Sequence, residues 1–236
     1  MKTLEELYRG KAKAILKTED ENLYVMHFND DATAFDGIKK GTIKDKGYYN
    51  CQISKICFEY LEKNGVPTHM VEPLGEREML VKSLKILPVE VIVRNWTAGS
   101  MAKRLGLEEG KKLPSPILEL CLKSDELGDP LINEYHALAL ELITEEQLQQ
   151  VKEYTWKIND LLCKRFDEAG LILVDFKLEF GLHQGEVILG DEISPDTCRL
   201  WDKETKEKLD KDRFRRDLGK VEDAYKEVLR RLKNPL

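Results

Sequence analysis

Asp175, Lys177 and Glu179 alternate with Val174, Phe176, Leu178 and Phe180 in the run LVDFKLEF. On an extended chain, side chains two apart share a face. Two carboxylates and an ammonium would therefore project together while the apolar residues enter the core. A second apolar run, Glu186–Leu189, ends on Gly190-Asp191-Glu192, and Gly-Leu-His-Gln-Gly between the two runs reads as a hairpin loop. That hairpin would bring Asp191 near the charged row, with Arg199 just beyond. Carboxylates that hold Mg²⁺ and lysines that meet phosphate oxygens are the recurring parts of phosphate chemistry. One alternating strand would also suit the solvated face of an antiparallel sheet; the added carboxylates and Arg199 favour a ligand site. No Ser-His-Asp or Cys-His arrangement competes for a covalent mechanism. The five cysteines form no CxxC pair and the four histidines are scattered, which argues against a zinc site or a disulfide framework.

Other segments carry polar residues that could join such a site. In LYRGKAKAILK, residues 7–17, Gly10 separates Tyr8-Arg9 from Lys11-Ala12-Lys13 and predicts a strand, a tight turn and a second strand. Glycine lets a backbone approach a phosphate closely, and Lys11 and Lys13 would point the same way. This is not a Walker motif, and alone it fits a basic surface hairpin better. In ILPVEVIVRNWTAGS, residues 86–100, Val89, Val91 and Val93 face one way and Glu90, Ile92 and Arg94 the other. Thr97–Ser100 reads as a turn opening a short helix through Leu105. Arg94 with Ser100 would make a phosphate seat there, and an N-cap serine beside a surface arginine fits equally well. Segment 29–47 is polar and aperiodic, and is expected to be a long loop. Asp30, Asp31 and Asp36 with Thr33 within it could touch a polar ligand, and an ordinary mobile loop explains them about as well. Asp129-Pro130 is an ordinary turn, with metal ligation by Asp129 as the alternative.

The elements that must position these residues are legible by period. Tyr49, Ile53, Ile56 and Tyr60, widened by Cys57 and Leu61, predict a helix over 47–64. Thr144 and Gln147 open a helix over 145–169 in a capping-box pattern, and Gly170 ends it. Val221, Tyr225, Val228, Leu229 and Leu232 predict a last helix over about 218–232. Strands are expected at Leu23–Phe28, around Val71, at Met79–Val81 and at Leu84, with Gly75 in a turn. The expected fold is α+β with two lobes. Residues 1–84 would form a mainly antiparallel β N-terminal lobe and residues 85–236 a larger mixed α/β lobe, with a cleft between them. At 236 residues, with 42% hydrophobic and 35% charged side chains, the chain has the balance of a globular protein with a real core. The formal net charge of -6 argues against non-specific nucleic-acid binding. MKTLEELYRGKAKAIL lacks the pattern of a signal peptide, and no apolar stretch approaches the ~20 residues that span a bilayer. A cytoplasmic location without membrane partners is expected.

YRGKAK, LPVEVIVRNWTAGS (87–100), LVDFKLEFG (173–181) and GDEISPDTCRLWD (190–202) resemble the motifs of the SAICAR synthetase family (phosphoribosylaminoimidazole-succinocarboxamide synthases) of purine biosynthesis. The resemblance runs essentially end to end, at a length typical of the short bacterial form. It implies a kinase-like nucleotide lobe. It also implies a ligase that joins the carboxylate of carboxyaminoimidazole ribonucleotide (CAIR) to the amine of L-aspartate, at the expense of ATP, through an acyl phosphate. Carried onto this chain, it implies that Lys11, Ala12 and Lys13 cover the ATP phosphates. Lys82 and Leu84, in a strand joining the lobes, would meet adenine through their backbone. Glu179 and Asp191 would hold Mg²⁺, with Asp129 a third ligand. Arg94, Ser100 and Arg199 would seat the ribonucleotide phosphate, and Asp175 and Lys177 would face the imidazole and its carboxylate. The loop from Thr33 to Asp36 would close over aspartate. Partners would be small molecules, in a homo-oligomer such as a dimer. Another ATP-dependent carboxylate–amine ligase, a small-molecule kinase, or a nucleotide-binding regulatory module without turnover are the rival readings.

Overall fold

The computed structural model describes residues 5–10, 12–34 and 38–234. β1 (Glu6–Arg9), β2 (Lys13–Lys17) and β3 (Leu23–Phe28) form an antiparallel meander, followed by a two-stranded ribbon, β4 (Asp31–Ala34) and β5 (Lys39–Thr42). Helix α1 (Lys46–Lys63) leads to β6 (Met70–Pro73) and β7 (Glu78–Lys82), which complete a five-stranded sheet in the order β1-β2-β3-β7-β6. The long strand β8 (Lys85–Trp96), helix α2 (Gly99–Leu105), β9 (Lys112–Leu122) and β10 (Leu131–Ile132) come next. Then follow α3 (Glu134–Ala139), α4 (Glu145–Glu168), β11 (Leu171–His183), β12 (Glu186–Leu189) and β13 (Cys198–Asp202), and finally α5 (Asp212–Arg215) and α6 (Val221–Lys233). The second sheet has the order β10-β9-β8-β11-β12, with β13 on the other half of β11. Among the described residues every ladder is antiparallel and there are six α-helices, so the class is α+β, as expected. Among the described residues no helix is long and apolar enough to cross a membrane.

The core joins both sheets through α1, α4 and α6. Thr144 and Gln147 form the predicted reciprocal cap of α4, whose buried face of Leu148, Val151, Ile158, Leu162 and Phe166 lies against β11. β11 buries Leu173, Phe176, Leu178 and Phe180 at 1–3% exposure, which fixes the opposite register for its charged residues.

Several expectations change in detail. Segment 29–47 contains the β4–β5 ribbon, whose small residues gave no strand period. The loop between β11 and β12 is only Gln184-Gly185, both at positive φ (51° and 89°), as a two-residue hairpin turn requires. Leu84 belongs to the two-residue link between β7 and β8 rather than to a strand. The buried face of α1 centres on Asn50, Ile53, Ser54, Cys57 and Leu61, with Tyr49, Ile56 and Tyr60 at its margin. The helix turns Lys46 and Ser54 inward because the loop after β12 offers them partners, whereas the buried Asn50 amide has none among the described residues. Ser54 Oγ donates to the Ile193 carbonyl at 3.1 Å, and the buried Lys46 ammonium reaches Asp196 at 2.8 Å. β9 contains Pro114 and Pro116, residues that ordinarily argue against a strand. They fall where the β8–β9 register shifts, between Arg94 and Trp96, so their missing N–H groups break no ladder bond.

Candidate active site

A cavity of about 590 Å³ is lined from both sheets, the link between them and α5. Its floor is the pair β8–β11. The register sets Asp175 against Arg94, Lys177 against Ile92 and Glu179 against Glu90, so the two charged rows become one surface. It is not a solvated face: Asp175, Glu179, Glu90 and Arg94 are all buried, and each is ion-paired.

At one end two guanidiniums converge on Asp175. Arg94 donates to Asp175 Oδ2 at 2.8 Å, to Glu119 Oε2 at 2.9 and 3.0 Å, and to Ser100 Oγ at 3.1 Å. Arg199 reaches Asp175 at 3.0 Å and Asp212 at 3.0 Å. Burial alone would push the Arg199 guanidinium down, but the two carboxylates outweigh it and hold it above its ordinary value. Ser100 lies inside α2, not at its cap; Ala98 holds that position without a side-chain bond.

At the other end carboxylates and lysines alternate in space. Lys177 Nζ donates to Glu90 at 2.9 Å and to Glu179, and lies 3.5 Å from Asp191. Lys123 donates to Glu179 at 2.9 Å. Lys13 pairs with Asp191 and stands 3.2 Å from Glu192. Burial opposes ionisation of Asp191, yet Lys13 and Lys177 overcome it and hold the carboxyl far below the usual carboxylate range. Burial raises the Glu90 carboxyl, only partly offset by Lys177. The loop bearing Asp191 is fixed at both sides. Leu189 exchanges backbone bonds with Pro67 and His69 at 3.0 and 2.8 Å. Asp196 accepts from Lys46 at 2.8 Å and from Tyr225 Oη at 2.6 Å.

Between the ends lies the β7–β8 link. Among the described residues neither backbone polar group of Leu84 has a hydrogen-bond partner. Gly181 and Gly190 let Leu84 pack down: a Cβ on Gly181 would stand 2.9 Å from Leu84 Cβ, and one on Gly190 2.8 Å from its Cδ1. The Lys82 N–H is taken by the His69 carbonyl at 2.7 Å, and its ammonium by the Thr68 carbonyl at 3.2 Å. His69 also lines the cavity. Burial pushes its imidazole down to about 4, and among the described residues its Nδ1 has no partner.

The structure therefore brings together Ala12, Lys13, Lys82, Leu84, Arg94, Ser100, Asp129, Asp175, Lys177, Glu179, Asp191 and Arg199 around one cavity. Asp129 stands at its rim, where Oδ1 accepts from the Ser124 N–H at 2.9 Å and closes the turn. Thr33, in the ribbon, is not among the cavity-lining residues. Lys11 and Asp36 lie outside the described residues. Sequence reasoning assigned no role to Lys123, Glu192, His69, Lys211 or Arg215, which also line the cavity. Glu90 was visible as a neighbour of Arg94 on one strand face; the others sit where no local period marks them.

Among the described residues no three His, Cys, Asp or Glu side chains gather as a metal cluster, because Lys13, Lys123 and Lys177 stand between the carboxylates. The donor set is all oxygen and partly neutralised by ammonium groups, a composition that fits a hard divalent cation carried with a polyphosphate.

Comparison with known proteins agrees with this geometry. The family model described as SAICAR synthetase matches residues 6–232. A phosphoribosylaminoimidazole-succinocarboxamide synthase of Caldanaerobacter subterraneus subsp. tengcongensis is 58% identical over 98% of this chain and 99% of its own. One from Desulfitobacterium hafniense is 60% identical over 98% and 97%. The crystal structure of the Ehrlichia chaffeensis enzyme superposes with a TM-score of 0.95 at 44% identity, covering 97% of this chain and 98% of that one. A SAICAR synthetase solved in complex with ADP gives 0.92 at 49% identity, covering 95% and 96%. The match spans the cavity, both sheets and the loop bearing Asp191, and the chain belongs to the SAICAR synthetase family.

Proposed function

We propose that this chain is a phosphoribosylaminoimidazole-succinocarboxamide synthase, the ligase of de novo purine biosynthesis that converts CAIR, L-aspartate and ATP into SAICAR, ADP and phosphate. The observation that carries this reading is the joining, in one cavity, of a lysine–carboxylate cluster suited to a polyphosphate and an Arg94–Asp175–Arg199 group suited to a ribotide. Residues 1–84 then act as a kinase-like nucleotide lobe and residues 85–236 as the substrate lobe, with the cavity as the cleft.

In this reading the nucleotide lies along the β1–β2 turn and the β7–β8 link. The free backbone groups of Leu84, rather than the engaged N–H of Lys82, face adenine. Lys11, Ala12 and Lys13 cover the phosphates, and Lys13 exchanges Asp191 for a phosphate oxygen. Glu179 and Asp191 would hold Mg²⁺, with Asp129 as a further oxygen donor, and the ion would neutralise charge on the phosphates. Arg94, Ser100 and Arg199 seat the ribotide phosphate, and Asp175 keeps both guanidiniums aimed. Lys177 faces the CAIR carboxylate, whose oxygen attacks the γ-phosphorus as ADP leaves. The aspartate amine then attacks the acyl carbon and phosphate departs. A free carboxylate is a poor electrophile, so the phosphate supplies the leaving group and the protein supplies position and charge neutralisation. The aspartate role of the Thr33–Asp36 segment rests on the family resemblance alone.

Incubation with CAIR, L-aspartate and Mg-ATP, with products identified by mass, tests this. SAICAR and ADP forming only when all three substrates are present is the expected result. ADP without SAICAR would make the protein a kinase, and nucleotide binding without any product would make it a regulatory module.

A further inference from the structure

Gly99 opens α2 at a positive φ of 55°, and a Cβ there would stand 2.5 to 2.7 Å from Nη2, Cζ and Nη1 of Arg199. The guanidinium therefore lies against bare backbone at the start of the helix. Its Nε donates to Asp212 and its Nη1 to Asp175. Among the described residues Nη2 donates to nothing, and it is the atom closest to the Gly99 position. Where that free donor points depends on how the first turn of α2 stands relative to Asp212, on α5.

Two residues outside the cavity fix that relation. Glu109, in the link between α2 and β9, accepts the Gly99 N–H at 3.0 Å. It also takes both Nη atoms of Arg216, at 2.8 and 2.6 Å, in a two-bond fork. Those bonds from Arg216 hold the Glu109 carboxyl down to about 2, so the fork stays charged through the neutral range. Arg216 Nη2 in turn lies 3.5 Å from Asp212 Oδ2, the same oxygen that accepts from Arg199 Nε. An outer path thus runs from Gly99 through Glu109 and Arg216 to Asp212. An inner path returns through Arg199, Asp175 and Arg94 to Ser100, the residue after Gly99. The ring is closed, and its outer half lines no part of the cavity. A half-exposed ion pair contributes little to stability by itself. What this one does is tie two short helices that have no backbone bond to each other.

We propose that Glu109 and Arg216 are positioning residues for the ribotide phosphate: their fork ties α2 to α5 and thereby aims the free Nη2 of Arg199 and the Ser100 hydroxyl at one phosphate group. This rests on the ligase reading above, in which Arg94, Ser100 and Arg199 seat that phosphate.

The test uses the full-length protein with Glu109→Ala, Arg216→Gln and the double variant, and ribose 5-phosphate as a probe that carries the phosphate without the imidazole. Each single variant should raise the KM for CAIR and the Kd for ribose 5-phosphate by about fivefold or more. The KM for ATP and kcat should change by less than about twofold. The double variant should be no worse than Glu109→Ala, because both changes break one fork. Equal rises for CAIR and ATP, a lower kcat at an unchanged CAIR KM, or losses that multiply in the double variant would overturn the assignment. Absence of wild-type turnover would overturn the ligase reading instead, and calorimetric titration with ribose 5-phosphate, which needs no turnover, would still decide this one. Should Glu109→Ala fail to fold, the exposed Arg216 gives the same readout.

Discussion

Asp191 and Lys13 meet as an ion pair across 178 positions of sequence, joining the start of β2 to the loop after β12. Each therefore stands where the other's ligand would sit. With the roles proposed above, ATP binding would separate the pair, Lys13 turning to phosphate and Asp191 to the cation that accompanies it. The protein without ligands keeps its carboxylates neutralised by its own lysines, so the cost of gathering like charges is met before substrate arrives.

Asp191→Asn should lower turnover by about 100-fold or more while shifting stability much less, because Asp191 sits at positive φ (57°), where asparagine is well tolerated. Steady-state assays beside denaturant unfolding check this. Losses of equal size in free energy would assign the residue to the fold alone.

Arg94→Ala should raise the CAIR requirement and leave ATP affinity nearly intact, since Arg94 lies at the Asp175 end and not among the lysines. It removes a partner from the buried Asp175 and Glu119, so about 3–5 kcal/mol of stability should go with it. Thermal or urea unfolding measures the second effect, and titration of CAIR and ATP the first. A parallel rise in the ATP requirement would sink the ribotide role.

Gly181→Ala should weaken ATP binding more than Gly190→Ala. The new Cβ at 181 meets Leu84 Cβ at 2.9 Å and the Lys85 carbonyl at 3.1 Å, which are fixed. At 190 it meets the free end of the Leu84 side chain at 2.8 Å, which can turn aside. About 1–3 kcal/mol of overpacking at 181 would displace the link and raise the Kd for ADP by about tenfold or more. Calorimetric titration with ADP tests the order.

His69 predicts a pH effect of definite sign. Burial lowers its folded pKa from 6.5 to about 4, so between those values the unfolded chain binds the extra proton. Stability contributed by the neutral imidazole is therefore present above the unfolded value and is lost as pH falls from 6.5 toward 4, by about 3 kcal/mol. His69→Gln should flatten that part of the profile relative to wild type in urea unfolding. An unchanged slope would place the loss in other groups.

How much of this was readable beforehand follows from range. β11 and β8 announced themselves because burial on one face and charge on the other impose a two-residue period, and α4 because its cap and stripe are local. The β4–β5 ribbon was not legible: Ala32, Thr33, Ala34 and Gly41 carry little hydrophobic contrast, and the ribbon is held by Phe214, far along the chain. α1 was found but turned, since Lys46 and Ser54 are buried only because Asp196 and the Ile193 carbonyl wait for them. Lys123, Lys211 and Arg215 lie in stretches rich in turns or charges, where position in the cavity depends on tertiary contacts alone. The Mg²⁺ and aspartate roles stay tied to the family resemblance: Glu179 and Asp191 line the cavity, whereas Thr33 does not and Asp36 lies outside the described residues.

The central claim is that the CAIR carboxylate is activated as an acyl phosphate in this cavity. CAIR labelled with ¹⁸O in its carboxylate, incubated with L-aspartate and Mg-ATP, tests it directly by mass spectrometry of the released phosphate. One ¹⁸O atom should move from the carboxylate into phosphate for each SAICAR formed. SAICAR formed with unlabelled phosphate would contradict the account.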